Sequence, residues 1–468
     1  MGDMRQYVNL PHPDPDLSEP HLGHLQRSFA DHVLKWLPLF DPETASHHLR
    51  YARSTEYRHA GSTLCVVFLI FANGAVSADS SLYSRSAHEL PGSAYYARAV
   101  TILERLPNTS KDLTALQCRV LIAIYLLFAM RPLEAWKNIT QASQECMILL
   151  RANTNYNATN EYREAFGRIY WICYILENEL EACLEVPTSG IRNYETLVPL
   201  PGSQYEEEGM YYLLALASLR KVMVEVLDTV GYKSTSGFVT YNPAVALELR
   251  TQIDEWYRHL PGQLRFQLDG NMLFDTRKAY LRCSYYALMA VASWPFVLPL
   301  SQPPLQTPQD AQTPYHHRSS IGPISHPPHE SVPQPHQQHR ANSHGHGTSP
   351  SNPAHPLTDT DLHDQTTHRA AAQSCLDACR LYLTHAEEIL TQKSLVSHLI
   401  VRQYYAFTMI LLLNFSGVDL QDGGASMEER RHLEGALRNL RYWSVVPFME
   451  ESLSVLVRIA RAKGLRLA

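Results

Sequence analysis

Histidine is the side chain with the most metal-binding capacity in this chain, at 23 of 468 residues. Eleven of them, His316, His317, His326, His329, His336, His339, His344, His346, His355, His363 and His368, fall in one stretch. Pairs such as His326/His329 and His344/His346 could bring two imidazoles onto a transition metal. A functional metal site also needs ligands fixed in geometry and supported from behind. The stretch is crowded with Pro, Gln and Ser, so we read it as biased low-complexity sequence, and the adjacent His47-His48 pair has the same weakness. Cys375 and Cys379 stand four apart on a predicted helix and point their thiols the same way. They supply half of a metal site, with no second pair near either in sequence, and read as ordinary helix cysteines. Glu177, Glu179, Glu181 and Glu185 put carboxylates on one predicted helix at i, i+4 spacing, the geometry of a paired-acid site; we read them as a solvated acidic face. The sequence holds no Gly-x-Ser-x-Gly, His-Glu-x-x-His, Gly-x-Gly-x-x-Gly or phosphate-cradling loop ending in Gly-Lys-Ser/Thr. A helical enzyme of the terpene-cyclase kind would need an aspartate-rich motif, for which Asp254-Glu255 and Asp359-x-Asp361 are poor substitutes. We therefore expect no catalytic, cofactor-binding or metal-ligating residues.

Bulk properties narrow the function further. The formal charge is −6, so no global positive field draws the chain to nucleic acid. The densest cationic stretch, Arg458, Arg461, Lys463 and Arg466, suits the negative end of a helix dipole. The eight cysteines are scattered, which suggests reduced, intracellular usage. A binuclear zinc cluster needs six cysteines in about 30 residues, and here they are mostly tens of residues apart, so no zinc cluster is expected in these residues. Contact with DNA would then be indirect. The apolar runs Leu64–Ala72 and Val120–Met130 are far shorter than the ~20 residues that span a bilayer, and the first residues carry no apolar run, so no membrane association is expected.

Helices must position whatever function remains. Tyr96, Ala99, Ile102, Leu103 and Leu106 recur at the i, i+3, i+4 spacing of one helical face. Asn108 to Asp112 break that pattern. Leu113–Met130 reads as a helix apolar almost all round, and Arg131-Pro132 stops it and starts Leu133–Leu150. Glu161–Leu184 is a further long helix, closed by Val186-Pro187 and Gly190. Helices follow at Met210–Val230, from Asn242-Pro243 to about Leu260, and over the aromatic-rich Leu273–Leu298. No sustained alternation demands a sheet. The fold class is all-α: a single large multi-helix body with a long disordered insertion. We place a flexible N-terminal segment at 1–24, the main body at 25–300, the Pro/His/Gln-rich insertion at 301–368, and completing helices at 369–468: Ala371–Thr391, Leu395–Phe415, Met427–Trp443 and Val446–Lys463.

Two segments carry a family resemblance. The first is Tyr96-Ala-Arg-Ala, then Leu113-Thr-Ala-Leu-Gln117 and, across the next turn, Ala135-Trp136 with Ala142. The second runs from Glu164-Ala-Phe-Gly-Arg168-Ile-Tyr-Trp171 through Glu177-Asn178 and Leu184-Glu-Val-Pro187 to Leu200-Pro201. Together they resemble the fungal-specific transcription factor domain, the middle homology region of zinc-cluster activators. Gln117, Trp136, Arg168, Trp171, Pro187 and Pro201 are the matching signature positions. Gly167, Tyr170 and Glu177-Asn178 depart from the family's Arg, Trp and Asp-Arg.

The resemblance implies a regulator of transcription in the nucleus, governing a metabolic or secondary-metabolite biosynthetic gene set. It implies partners too: a small-molecule effector, and a zinc-cluster transcription factor partner or a second copy of the chain. Such a body could hold an apolar pocket between helices, whose walls we seek at Tyr280, Tyr285, Tyr286 and Trp294. The rival readings are a helical biosynthetic enzyme and a non-catalytic helical scaffold.

Overall fold

The computed structural model describes residues 14–79, 90–106, 113–152, 159–202, 208–231, 241–268, 271–297, 359–415 and 425–465. Among these residues there are fourteen α-helices and no strand. In chain order they are α1 (Glu19–Phe29), α2 (Pro42–Ser54), α3 (Ser62–Ala78), α4 (Ser93–Arg105), α5 (Leu113–Phe128), α6 (Pro132–Arg151), α7 (Asn160–Leu184), α8 (Glu208–Val230), α9 (Pro243–Arg258), α10 (Thr276–Ser293), α11 (Asp359–Leu390), α12 (Ser397–Asn414), α13 (Ala425–Tyr442) and α14 (Pro447–Ala462).

Local chemistry explains most boundaries. Asp41, Thr159, Asn242 and Asp275 each accept a backbone N–H at the start of a helix with a side-chain oxygen, the usual N-cap bond. Pro132 opens α6, where its missing N–H is harmless. Glu185 closes α7 in the left-handed conformation at φ 54°. The aromatic stretch predicted as helix to Leu298 instead tightens to a 3-10 turn at Trp294–Phe296, because Pro295 withholds a backbone donor there. Helix α1 begins at Glu19 and buries Leu22, so order starts within the segment expected to be flexible. Helix α11 begins at Asp359, nine residues before the predicted end of the insertion. No Pro or Gly follows Pro356 to break the helical pattern. The rest of the predicted insertion lies outside the described residues, as do residues 1–13.

Helices α3 and α5 are buried on nearly every face, which is how their uninterrupted apolar sequences must be placed. One backbone approach depends on a missing side chain. A Cβ at Gly74 of α3 would lie 2.1 Å from the Leu25 carbonyl oxygen of α1, so only glycine lets these helices meet this closely. The described helices before residue 302 and after residue 366 belong to one unit, joined by a hydrophobic core that runs from Leu22 to Leu465. Helix α7 is central to it and packs against α5, α6, α8 and α12. Lys463, expected at a helix end, donates to the Leu413 and Phe415 carbonyls at 2.8 and 2.7 Å; it thus caps α12 rather than its own helix.

Candidate functional site

The signature positions meet around α7. Gln117 is buried in α5, and Trp171 is fully buried in α7. The Trp171 indole donates to the Pro199 carbonyl at 3.1 Å, and the Lys221 ammonium sits 5.0 Å from its ring centroid, a cation–π contact. Trp136 is half-buried: its indole N–H donates to the Pro187 carbonyl at 3.3 Å, which holds it at the rim of the core that Trp171 enters. Arg168 is buried and donates to the Pro38 carbonyl and to Glu164, both at 3.2 Å. Pro201 is buried over Gly167, where a Cβ would meet Pro199 and Pro201 at ordinary contact distances of 3.7 and 3.8 Å. The Leu-Pro segment therefore lies on the face of α7 that a large side chain at 167 would occupy.

Of the four carboxylates read from the sequence as a solvated face, Glu185 is exposed but the other three are not. Glu177, Glu179 and Glu181 are 1, 3 and 4 % exposed. Glu177 accepts the backbone N–H and the hydroxyl of Ser189 at 2.5 and 2.8 Å. Glu181 receives the Arg192 guanidinium at 3.0 Å. Glu179 takes two Arg220 nitrogens at 3.0 and 2.5 Å and the Tyr280 hydroxyl at 2.8 Å. Arg220 also donates to Tyr280 at 2.7 Å. Burial works against the Arg220 charge, but Tyr280 and Glu179 more than offset it and raise its pKa further. Burial drives the Tyr280 hydroxyl well above its ordinary range, so it stays a neutral donor. These carboxylates are fasteners between α7, α8, α10 and the 186–202 connection, because a buried charge persists only when paired.

A second buried arginine ties α10 to α11. Arg282 is fully buried and holds both Glu388 oxygens at 2.9 and 3.0 Å, with a further bond to the Asn271 carbonyl at 2.8 Å. In α12, His398 is buried, and burial lowers its pKa to about 4 against a weaker pull from Glu179. Its Nδ1 lies 3.1 Å from the Leu395 carbonyl, which can only accept, so the proton sits on Nδ1.

Of the four aromatics sought as pocket walls, three have other work. Tyr280 belongs to the Glu179–Arg220 network, Tyr285 donates to Asp254 at 2.5 Å, and Tyr286 donates to the Leu268 carbonyl at 2.9 Å while stacking on His385. Trp294 does line a cavity, of about 240 Å3, enclosed by α7, α8, α10 and α12. Cys183, Met223, Leu288, Phe407 and Arg402 share its walls. Burial pushes the Cys183 thiol up to about 11, with Arg402 opposing.

The remaining chemical candidates are placed as follows. Cys375 donates to the Ala290 carbonyl at 3.3 Å, and all eight cysteines are buried and outside any disulfide. Among the described residues no group of three or more His, Cys, Asp or Glu is placed to hold a metal ion. The insertion histidines up to His355 lie outside the described residues, and His368 sets its ring edge-on to Phe296 at 5.2 Å. No helix among the described residues is long and apolar enough to cross a membrane. Sequence reasoning misread Glu179 and missed Arg220, Arg282 and Arg402. The signal was available for the first three: each sits in a helix apolar on several faces, where a charge cannot reach water and must find an opposite partner.

Comparison with known proteins bears out the resemblance. Residues 27–212 match the family model of the fungal specific transcription factor domain, a span that runs from α1 to the start of α8. The chain is also similar to an Aspergillus rugulosus protein named "Putative transcription factor ecdB", at 21% identity over 295 residues, covering 52% of this chain and 47% of that protein. The chain thus spans about half the length of the curated relative it matches. No solved structure matches it.

Proposed function

We propose that this chain is a regulator of transcription whose helical body receives a signal and passes it to a DNA-bound partner. The observation that carries this reading is the family match over residues 27–212, whose signature tryptophan, arginine and proline positions converge on α7 as described above. The name of the Aspergillus rugulosus relative supports the same class. The signal is a small-molecule effector or a partner protein, and the route to DNA is a zinc-cluster transcription factor or a second copy of the chain. The site of action is the nucleus, on genes of metabolism or secondary-metabolite biosynthesis. Helices packed on both sides of α7 give such a body a means of relay, since small shifts of packed helices can couple distant surfaces.

The direct test fuses the full chain to a heterologous DNA-binding domain in a fungal host and reads a reporter gene. A fluorescent tag on the unfused chain reports its compartment. A change in reporter output of several-fold in either direction, with nuclear fluorescence, is the expected result. Reporter output equal to that of the DNA-binding domain alone, together with exclusion from the nucleus, would overturn the reading.

A further inference from the structure

The walls of the 240 Å3 cavity carry hydrogen-bond donors that have no acceptor among the described residues. Arg402 lines it from α12, beside the thiol of Cys183, and makes no ion pair or hydrogen bond with any described residue. Trp294 also lines it, and its buried indole N–H has no acceptor among the described residues. Gln403 commits its carbonyl oxygen to the Tyr382 hydroxyl at 2.9 Å, which leaves its amide hydrogens. The other walls are apolar, among them Met223, Leu288 and Phe407. The deeply buried arginines Arg168, Arg220 and Arg282 each hold a carboxylate, whereas Arg402 is half-buried at the cavity wall. An arginine facing an apolar hollow without one is the exception that a ligand's own anion would complete.

We propose that this cavity binds a small amphipathic carboxylate, with its acid group on the Arg402 guanidinium and Trp294 indole and its apolar body between α7, α8 and α10. A planar carboxylate matches the fork of guanidinium donors two bonds at a time. The volume falls below the roughly 300–1,000 Å3 of drug-sized sites, so the ligand is small, a short-chain or single-ring acid. An amine is rejected by charge, and a neutral amide loses the charge-assisted pair. This assignment rests on the effector-sensing reading above and names the chemistry of the effector.

The test uses the purified full chain and calorimetric titration with phenylbutyrate and octanoate, against phenylbutyramide and phenylbutylamine as neutral and cationic controls. At least one acid is expected to bind saturably, about tenfold or more tighter than the amide, the size of one charge-assisted hydrogen bond. Arg402→Gln should abolish the preference for acid over amide, and Arg402→Lys should restore part of it. Val291→Trp, which fills the cavity, should abolish binding of acid and amide alike. Circular dichroism and urea unfolding establish that each variant folds; Arg402 has no partner to strand among the described residues, so its loss should leave the unfolding midpoint unchanged. Absence of saturable binding by both acids, equal affinity for acid and amide, or an acid preference that survives Arg402→Gln would overturn the proposal. Loss of the acid preference with an unchanged reporter response in the fusion assay would sustain this site and refute the effector-sensing reading alone.

Discussion

Removing either charge of the Glu179–Arg220 pair should cost far more than removing both. Each side chain is about 3 % exposed and the closest contact is 2.5 Å, so neither charge has access to water once its partner is gone. Stripping one member of a buried pair costs about 3–5 kcal/mol, against about 5–15 kcal/mol for the whole stability of a typical domain. Glu179→Leu and Arg220→Met should each fall in that range. The double variant removes both charges and deprives the Tyr280 hydroxyl of its Glu179 and Arg220 partners, a loss of about 1–3 kcal/mol. The singles then sum to about 6–10 kcal/mol against a much smaller double, and the coupling energy should be at least about 3 kcal/mol. Urea unfolding of the four proteins, followed by far-UV circular dichroism with unchanged slopes, gives the cycle directly. Additivity within about 0.5 kcal/mol would refute the claim that these residues form one buried unit.

Three further outcomes follow from the same reasoning. His398, with a native pKa of about 4, takes up its proton more readily when unfolded. Its contribution is therefore complete above about pH 6.5 and is lost as pH falls toward 4. Between pH 7 and 5 the chain should lose about 2 kcal/mol through this group, and His398→Gln should remove that part of the slope in urea titrations at the two pH values; an unchanged slope would count against burial as the cause. Gly74→Ala places a methyl 2.1 Å from the Leu25 oxygen and should destabilise by about 1–3 kcal/mol or more, read as a lowered unfolding midpoint. Gly167→Ala meets only ordinary contacts, so the gain in helix propensity should stabilise by about 0.5–1 kcal/mol. Opposite signs for the two glycines are the result to look for, and equal shifts would contradict the packing described.

Most of the helical skeleton was legible because each element announces its own ends. Leu113 begins α5 and Pro132 begins α6 as the sequence indicates, since capping, proline chemistry and the period of the apolar residues act locally. Helix boundaries slipped where the decisive fact was weakly marked. Asp359 starts α11 inside a stretch read as low-complexity, and Trp294 leaves the α-helix one residue ahead of Pro295. The candidate site was less legible. Tyr280, Tyr285 and Tyr286 were sought as cavity walls because aromatic residues suit that task, yet their hydroxyls are claimed by Arg220 and Glu179, by Asp254 and by the Leu268 carbonyl. Those partners lie far away in sequence. The same distance hid Arg402, whose importance consists in lacking a carboxylate partner among the described residues, a property that only the assembled helices reveal. The acidic residues of α7 were misread for a related reason: i, i+4 spacing says which side chains share a face, and only packing says what that face meets.

Helix α7 has 25 residues, and its span from Arg168 to Cys183 contains neither proline nor glycine, the usual sources of a bend. At 1.5 Å per residue these two side chains stand about 22 Å apart along a single stiff rod. One end of it abuts the hollow beside Cys183, and the other grips the Pro38 and Pro199 carbonyls through Arg168 and Trp171. A wedge driven in beside Cys183 would therefore not be absorbed along the way. It would arrive at the far grip as nearly the same displacement, as a pushrod delivers at its tip the stroke applied to its base.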